Sequence, residues 1–299
     1  MMRYRVFHRT TYTYNDDVRD SLGVYHMTPR PLPWQDVATT AASVDPEPVD
    51  LDRDTDVYGN AVTYFQVTAK HRRLQIEANS DVTVRAPQYD PQALARPWET
   101  SRPHGSAASD AWLATEFALE SARAVHAEGV FAYAAASLLP GRPVGEAADD
   151  LMHRIFRDFR YDSTATTVTS SVAHVLEQRA GVCQDFAHLA LACLRSHGVA
   201  ARYVSGYLAT QPPPGKERVF GADASHAWLA VWLPEQDAWL AIDPTNDQRA
   251  NDRYVTVAWG RDYADVSPMR GIIFTDATSS TLRVSVDVAP WQEAATRSL

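Results

Sequence analysis

Three side chains in the second half of this sequence have the types that thiol chemistry needs: Cys183, His226 and Asp243. A thiol is a useful nucleophile only as its thiolate, and the start of a helix favours that form through partial positive charge and free N–H groups. Cys183 stands where a helix should begin. Gly181 permits a sharp turn into Val182-Cys183-Gln184-Asp185, a strongly apolar run follows to about His197, and Gly198 occupies the position expected past a helix end. The same free N–H groups suit an oxyanion. Cys193, inside LALACLRS, has apolar neighbours on both sides and reads as a core filler.

A thiolate also needs a base held in place. Residues 225–246 read SHAWLAVWLPEQDAWLAIDPTN, two strands around Leu233-Pro234-Glu235-Gln236. Pairing Trp232 with Asp237 sets Ala230 against Trp239, Trp228 against Ala241, and His226 against Asp243. Directly opposed side chains have Cβ atoms about 4.5–5.5 Å apart. Asp243 can then accept a hydrogen bond from one ring nitrogen while the other faces the thiol. Nucleophile, base and orienting acid are thereby assigned by role, not by sequence order.

The elements that must position these residues fall into two textures. Residues 1–86 alternate β-branched and aromatic residues with polar ones over Tyr4–Tyr14, Val37–Val44, Ala61–Ala69 and Leu74–Val84, which predicts a small antiparallel β-sandwich. Asp50, Asp52, Asp54 and Asp56 lack the Gly and distal Glu of a calcium loop and read as a solvated strand edge. Residues 87–108 are proline-rich and aperiodic, a linker or wrapping loop. Residues 109–299 form the second unit. Helices are expected over Ala111 to about His126, Phe131–Leu139, Pro143–Asp158, Ser170 or Ser171 to Arg179, and from Cys183. Strands are expected at Ala201–Ala209, His226–Leu233, Ala238–Ile242 and Arg253–Ala258, with Leu282–Val288 returning to a sheet. The fold class is therefore α+β.

A chain of 299 residues can bury a full core without staples. Its net charge of -9 argues against nucleic-acid and anionic-membrane partners, which need a concentrated basic face. No apolar run reaches the length of a signal peptide or a membrane span, so a cytoplasmic location is the expectation. Ten residues apart on one helix, Cys183 and Cys193 are separated by a rise of about 15 Å, too far for a disulfide. Free thiols suit a reducing compartment. The other nine histidines show no metal-ligand spacing, and no phosphate loop or G-x-S-x-G is present, so neither metal nor cofactor is expected.

The segments GVCQDFAH, RYVSGYL, DASHAW and WLAIDPTN, in that order, resemble the core of the transglutaminase-like superfamily, a branch of the papain-like fold. The preceding β-domain and the later GRDYADVSPMRG (Gly260–Gly271) resemble a bacterial group with the same two-part layout. The resemblance implies a papain-like core of helices packed on an antiparallel sheet, with Cys183, His226 and Asp243 as its triad. It also implies thioester chemistry on a peptide or protein amide. Members of the superfamily include peptidases, amidases, protein-crosslinking acyltransferases and inactive scaffolds. Hydrolysis ranks first here, glutamine-to-amine acyl transfer second and a binding scaffold third. The backbone N–H of Cys183 is the first oxyanion donor, and Gln184 and Tyr161 are candidates for a second. Asp185 either caps the helix or faces the cleft, and Tyr207, Trp228 and the Gly260–Tyr263 segment are candidates to line it.

Overall fold

The computed structural model describes residues 1–210, 225–235 and 238–291. Its N-terminal half is built around one very long strand, β1 (Met2–Tyr25). Four antiparallel strands follow: β2 (Gln35–Asp45), β3 (Asp50–Thr55), β4 (Ala61–Val67) and β5 (His71–Val84). Alternation along β1 buries Tyr4, Val6, His8 and Thr10 on one face, as a period of two requires. The first half of β1 pairs with β5 and its second half with β4, with register breaks between Thr13 and Val18. The antiparallel unit is thus one sheet curled on itself, with a core inside the curl around Tyr14, Phe65, Leu74 and Ile76. Strand β3 pairs only with β4 at the sheet margin and its aspartates face solvent, as the solvated-edge reading expects.

The second half carries three helices that matter for the site. They are α1 (Val144–Asp158), α2 (Val172–Gln178) and α3 (Cys183–Ser196). Leu151 and Ile155 fall on the buried face of α1 at the expected i, i+4 spacing, and Phe159, the extended residue just past its end, is buried as well. Helix α3 is buried along almost its whole length and is followed, past its cap His197, by Gly198, whose φ of 76° is the left-handed conformation that glycine adopts without strain. Against α3 lies an antiparallel sheet of β6 (Ala201–Leu208), β7 (Ser225–Leu233), β8 (Ala238–Asp243) and β9 (Tyr254–Gly260), in the order β8-β7-β6-β9. The α+β class and the core of helices on an antiparallel sheet are as the sequence implies.

Three elements differ from expectation. The helix predicted from Ala111 to His126 is a four-residue turn, Ala111–Ala114, followed by a 3₁₀ turn, Thr115–Ala118. Its buried residues are Ala111, Ala114 and Phe117, a spacing of three that suits the tighter helix. Within the supposed linker, Trp98 is buried in the main core and its indole N–H donates to the Leu139 carbonyl at 2.8 Å. The segment wraps the core. Finally, β10 (Met269–Thr275), unanticipated in the sequence, and β11 (Ser280–Pro290) both pair with β1. The C-terminal strands, grouped above with the second unit, complete the N-terminal sheet.

The two halves share one apolar core. Tyr4, Val6, Val84 and Val288 pack in the same cluster as Leu189, Leu191 and Val255. Strand β9 is the outermost strand of the core sheet, and its outer edge is met by side chains of the N-terminal half. Gln35 accepts from the Thr256 N–H (2.8 Å) and donates to the Thr256 carbonyl (2.7 Å). Asn60 does the same at Trp259, at 2.9 and 2.8 Å. Each carboxamide substitutes for a peptide unit of a neighbouring strand and closes an edge that would otherwise present unpaired groups. The two grips are three residues apart because a bulge lies between Thr256 and Ala258.

Gln35 is wholly buried and its amide also donates to the Arg30 carbonyl at 2.8 Å. Gln35→Leu therefore takes the carboxamide partner from the Thr256 N–H and the Arg30 carbonyl, while the Thr256 carbonyl keeps the Arg30 N–H. At about 1–3 kcal/mol for each unsatisfied group, the expected loss is about 2–4 kcal/mol in urea unfolding. A loss below about 1 kcal/mol would contradict the clamp.

Candidate active site

Cys183 is the first residue of α3 and is partly exposed at its mouth. The turn into the helix is fixed by Asp185, only 3% exposed. Its carboxylate accepts from the Val182 N–H at 2.8 Å and from the Thr166 hydroxyl at 2.6 Å. Asp185 is therefore a cap and does not face the cleft, and as an anion in the first turn it complements the helix dipole. Gly181 is required for a reason the sequence did not display. A Cβ there would lie 2.8 Å from Asp185 Oδ2, so the glycine makes room for the capping carboxylate.

His226 lies near the start of β7 and Asp243 at the end of β8. The expected register is off by two. Leu233 pairs with Ala238, Trp232 with Trp239 and Leu229 with Ile242, while Asp237, the proposed partner of Trp232, lies outside the described residues. His226 and Asp243 are consequently diagonal neighbours rather than opposed ones. An even shift keeps both on one face, and the imidazole bridges the diagonal, with Nε2 2.7 Å from Asp243 Oδ2. The Cys183 thiol is near enough to the ring to act with Asp243 in raising its pKa. With Nε2 engaged by the carboxylate, Nδ1 is the nitrogen left for sulfur.

Asp243 has no exposed surface. Besides His226, its Oδ2 accepts from Asn246 Nδ2 and from the Tyr254 hydroxyl, each at 2.7 Å. Its Oδ1 accepts from the Thr245 N–H at 2.9 Å. Burial opposes ionisation of this carboxyl, but the hydrogen bond and charge of His226, with the Asn246 and Tyr254 donors, outweigh it and hold its pKa below the ordinary carboxylate value. For His226 burial favours the neutral ring, yet the hydrogen bonds and charges of Asp243 and Cys183 outweigh it and raise its pKa well above the ordinary imidazole value. Asn246 and Tyr254 were not singled out in the sequence. The run Asp243-Pro244-Thr245-Asn246 did carry a signal, since Asp accepting from the N–H two residues on is a recurrent turn.

The other candidates are dispersed. The Gln184 amide donates to the Val168 carbonyl at 3.2 Å and so tethers a neighbouring loop. Tyr161 is exposed, pairs with Gly181 next to the helix mouth, and has its pKa raised by burial and by the nearby Cys183 and Asp185. Tyr207 is removed from the cleft: it lies on the opposite face from His226, fully buried, with its hydroxyl 2.8 Å from His8 Nδ1 on β1. Trp228 is buried too, with its ring 6.0 Å from that of His226 and 5.3 Å from that of Tyr254. It backs the histidine rather than lining an opening. Directly across from His226, Gly206 leaves the space that Trp228 fills; a Cβ there would fall 2.6 Å from the indole. In the Gly260–Tyr263 segment, the Tyr263 N–H donates to His188 of α3 at 3.2 Å. Burial pushes His188 down to about 4, so it is a neutral acceptor at physiological pH.

Sequence and fold comparisons agree with this architecture. Residues 4–83 match the bacterial transglutaminase-like N-terminal region, and residues 133–244 match the transglutaminase-like superfamily. The chain is 49% identical over 296 residues to an uncharacterized protein of Mycobacterium bovis, covering 97% of this chain and 93% of that one. It is 31% identical over 293 residues to an uncharacterized protein of Mycobacterium leprae, covering 96% and 99%. Among solved structures, a candidate cysteine protease from Cytophaga hutchinsonii shares the fold with a TM-score of 0.73 at 21% identity, over 97% of this chain and 93% of that one. The chain belongs to the transglutaminase-like superfamily, with the bacterial N-terminal region of that group. Among the described residues no helix is long and apolar enough to cross a membrane.

The two thiols are in opposite environments. Cys193 is fully buried and its pKa is pushed up to about 12 by burial, whereas Cys183 is partly open at the helix mouth. Iodoacetamide at neutral pH should alkylate Cys183 in the native protein and leave Cys193 untouched, as read by peptide mass spectrometry. Equal labelling of both would overturn the contrast.

Proposed function

We propose that the protein is a cysteine-dependent amide hydrolase acting on a peptide or protein substrate through a thioester on Cys183. The observation that carries this reading is the position of His226, hydrogen-bonded to the buried Asp243 at 2.7 Å and close enough to the Cys183 thiol for the two groups to be coupled electrostatically. The raised pKa of His226 favours the imidazolium, which is the form that accompanies a thiolate. The name borne by the Cytophaga hutchinsonii neighbour, a candidate cysteine protease, supports the same class.

In this reading the Cys183 thiolate attacks the amide carbonyl, and the oxyanion gathers against the Cys183 N–H at the start of α3. His226 gives its proton to the leaving amine as the carbon–nitrogen bond breaks. It then takes a proton from water, whose oxygen attacks the thioester, releases the acid and restores the thiol. Asp243 fixes the ring and stabilises the imidazolium without itself taking the proton. Partial exposure of Cys183 leaves the acyl group open to water, the acceptor that needs no binding site of its own.

Thioester adducts formed with activated amide or ester probes test this directly by mass spectrometry. Adducts on Cys183 should clear in water alone. Adducts that persist until an amine is added would replace hydrolase by acyltransferase, and absence of adducts would overturn the enzyme reading. Cys183→Ala and His226→Ala should each abolish turnover with the fold intact. Asp243→Asn should hurt less than either.

The pH profile follows from the direction of the shift. His226 is protonated below its raised pKa, so the ion pair persists to alkaline pH and is lost as pH rises through that value. Removing the Asp243 charge lowers the histidine pKa. The alkaline limb of kcat/KM in Asp243→Asn should therefore move to lower pH; an unmoved limb would remove Asp243 from its assigned role.

A further inference from the structure

The orienting carboxylate is not held by its histidine alone. Tyr254, the first residue of β9, donates its hydroxyl to Asp243 Oδ2 at 2.7 Å. Gln248 Nε2 donates to that same hydroxyl oxygen at 2.7 Å. A donor whose oxygen itself accepts a hydrogen bond is polarised toward donating more strongly. The phenol ring is 2% exposed and packs edge-on against Trp228, which backs His226. Tyr254 therefore meets Asp243 through its hydroxyl and His226 through a tilted ring contact, with centroids 6.1 Å apart.

The strand carrying Tyr254 is also the one that Gln35 and Asn60 grip from the N-terminal half. The first grip falls at Thr256, two residues from Tyr254, and the second at Trp259, beyond the bulge. Bulged edge strands can shift along their partners and re-aim side chains. Two carboxamides that each fix a backbone N–H and a carbonyl prevent that sliding.

We propose that Tyr254 is a positioning residue that keeps Asp243 ionised and aimed at His226, and that the N-terminal sheet serves the site by holding the strand of Tyr254 through Gln35. This rests on the cysteine-enzyme reading given above. The sign follows from the burial of Asp243. With burial favouring the neutral acid, removal of a donor to the carboxylate raises the pKa at which Asp243 takes a proton. The coupled constellation then loses its ion pair at a higher pH on the acid side.

The experiment uses the intact chain and needs no substrate: the rate of Cys183 alkylation by iodoacetamide is followed against pH by peptide mass spectrometry. Tyr254→Phe keeps the ring and deletes the hydroxyl, and should move the acid limb up by roughly half a unit to one unit. Gln35→Glu, which keeps an acceptor for the Thr256 N–H and loses the donor to its carbonyl, should move it the same way by less. Tyr133→Phe removes a comparable phenol-to-carboxylate bond, to Asp158, away from the site and should leave the limb in place. An unmoved limb in folded Tyr254→Phe overturns the positioning role. A moved limb there with an unmoved one in Gln35→Glu overturns the part assigned to the N-terminal sheet. Should Tyr254→Phe fail to fold, Gln248→Leu reads the same limb and must raise it for the proposal to stand. A wild-type Cys183 with no such limb defeats the cysteine-enzyme reading itself, a different result from either.

Discussion

Taking a carboxylate out of water is costly by several kcal/mol unless donors and a cation replace its hydration. Asp243 is buried completely, and four donors from four residues surround it: the His226 ring, the Asn246 amide, the Tyr254 hydroxyl and the Thr245 N–H. Much of the local structure follows from assembling that set. The turn after β8 brings Thr245 and Asn246 back onto the carboxylate. Strand β9 must come close enough to deliver a phenol from two strands beyond β7. The gap left by Gly206 admits Trp228, which fills the space behind the histidine and tyrosine rings.

The same constraint explains why the N-terminal half is not an appendage. Tyr254 is only as well placed as the strand beneath it, and β9 is an edge strand with a bulge. The clamp by Gln35 and Asn60 and the apolar contacts of β1 and β5 with the core make the curled sheet the missing neighbour of that edge. Return of β10 and β11 to β1 ties the chain's last described strands to its first. Tyr207 belongs to this seam. Strand alternation sends it to the face opposite His226, where His8 of β1 meets its hydroxyl.

Much of this was legible in the residues. The apolar run from Phe186 to Leu194, bracketed by Gly181 and Gly198, predicts α3 almost to its ends, and Cys183 at its first position follows. The alternation in SHAWLAVWL and AWLAID places His226 and Asp243 on one face of neighbouring strands. Hairpin register was not legible, because side-chain parity is the only signal in the pattern and a shift of two preserves it. The extent of β1 was hidden by Asn15-Asp16-Asp17, which has the composition of a turn. In the fold it is where the sheet curls and the register breaks, so pairing resumes beyond it. Gly181 before a helix signals backbone freedom in the sequence, whereas its need is steric and set by Asp185, three residues beyond the cap contact it protects.

The two-residue difference in register carries a chemical consequence. Opposed residues place Cβ atoms about 5 Å apart, while diagonal ones are separated by about 7–8 Å between Cα atoms. An imidazole that must donate through Nε2 to a carboxylate and meet a thiol through Nδ1 has to stand between them along its long dimension. A directly opposed aspartate would crowd the ring from the side and point its oxygen toward Cβ rather than toward the far nitrogen. The diagonal gives the ring its own length. It also carries Asp243 to the end of β8, where the chain turns and can supply Thr245 and Asn246 as donors. The offset that the sequence pattern could not reveal thus sets a buried aspartate at the tip of its strand, 2.7 Å from the imidazole it pairs with.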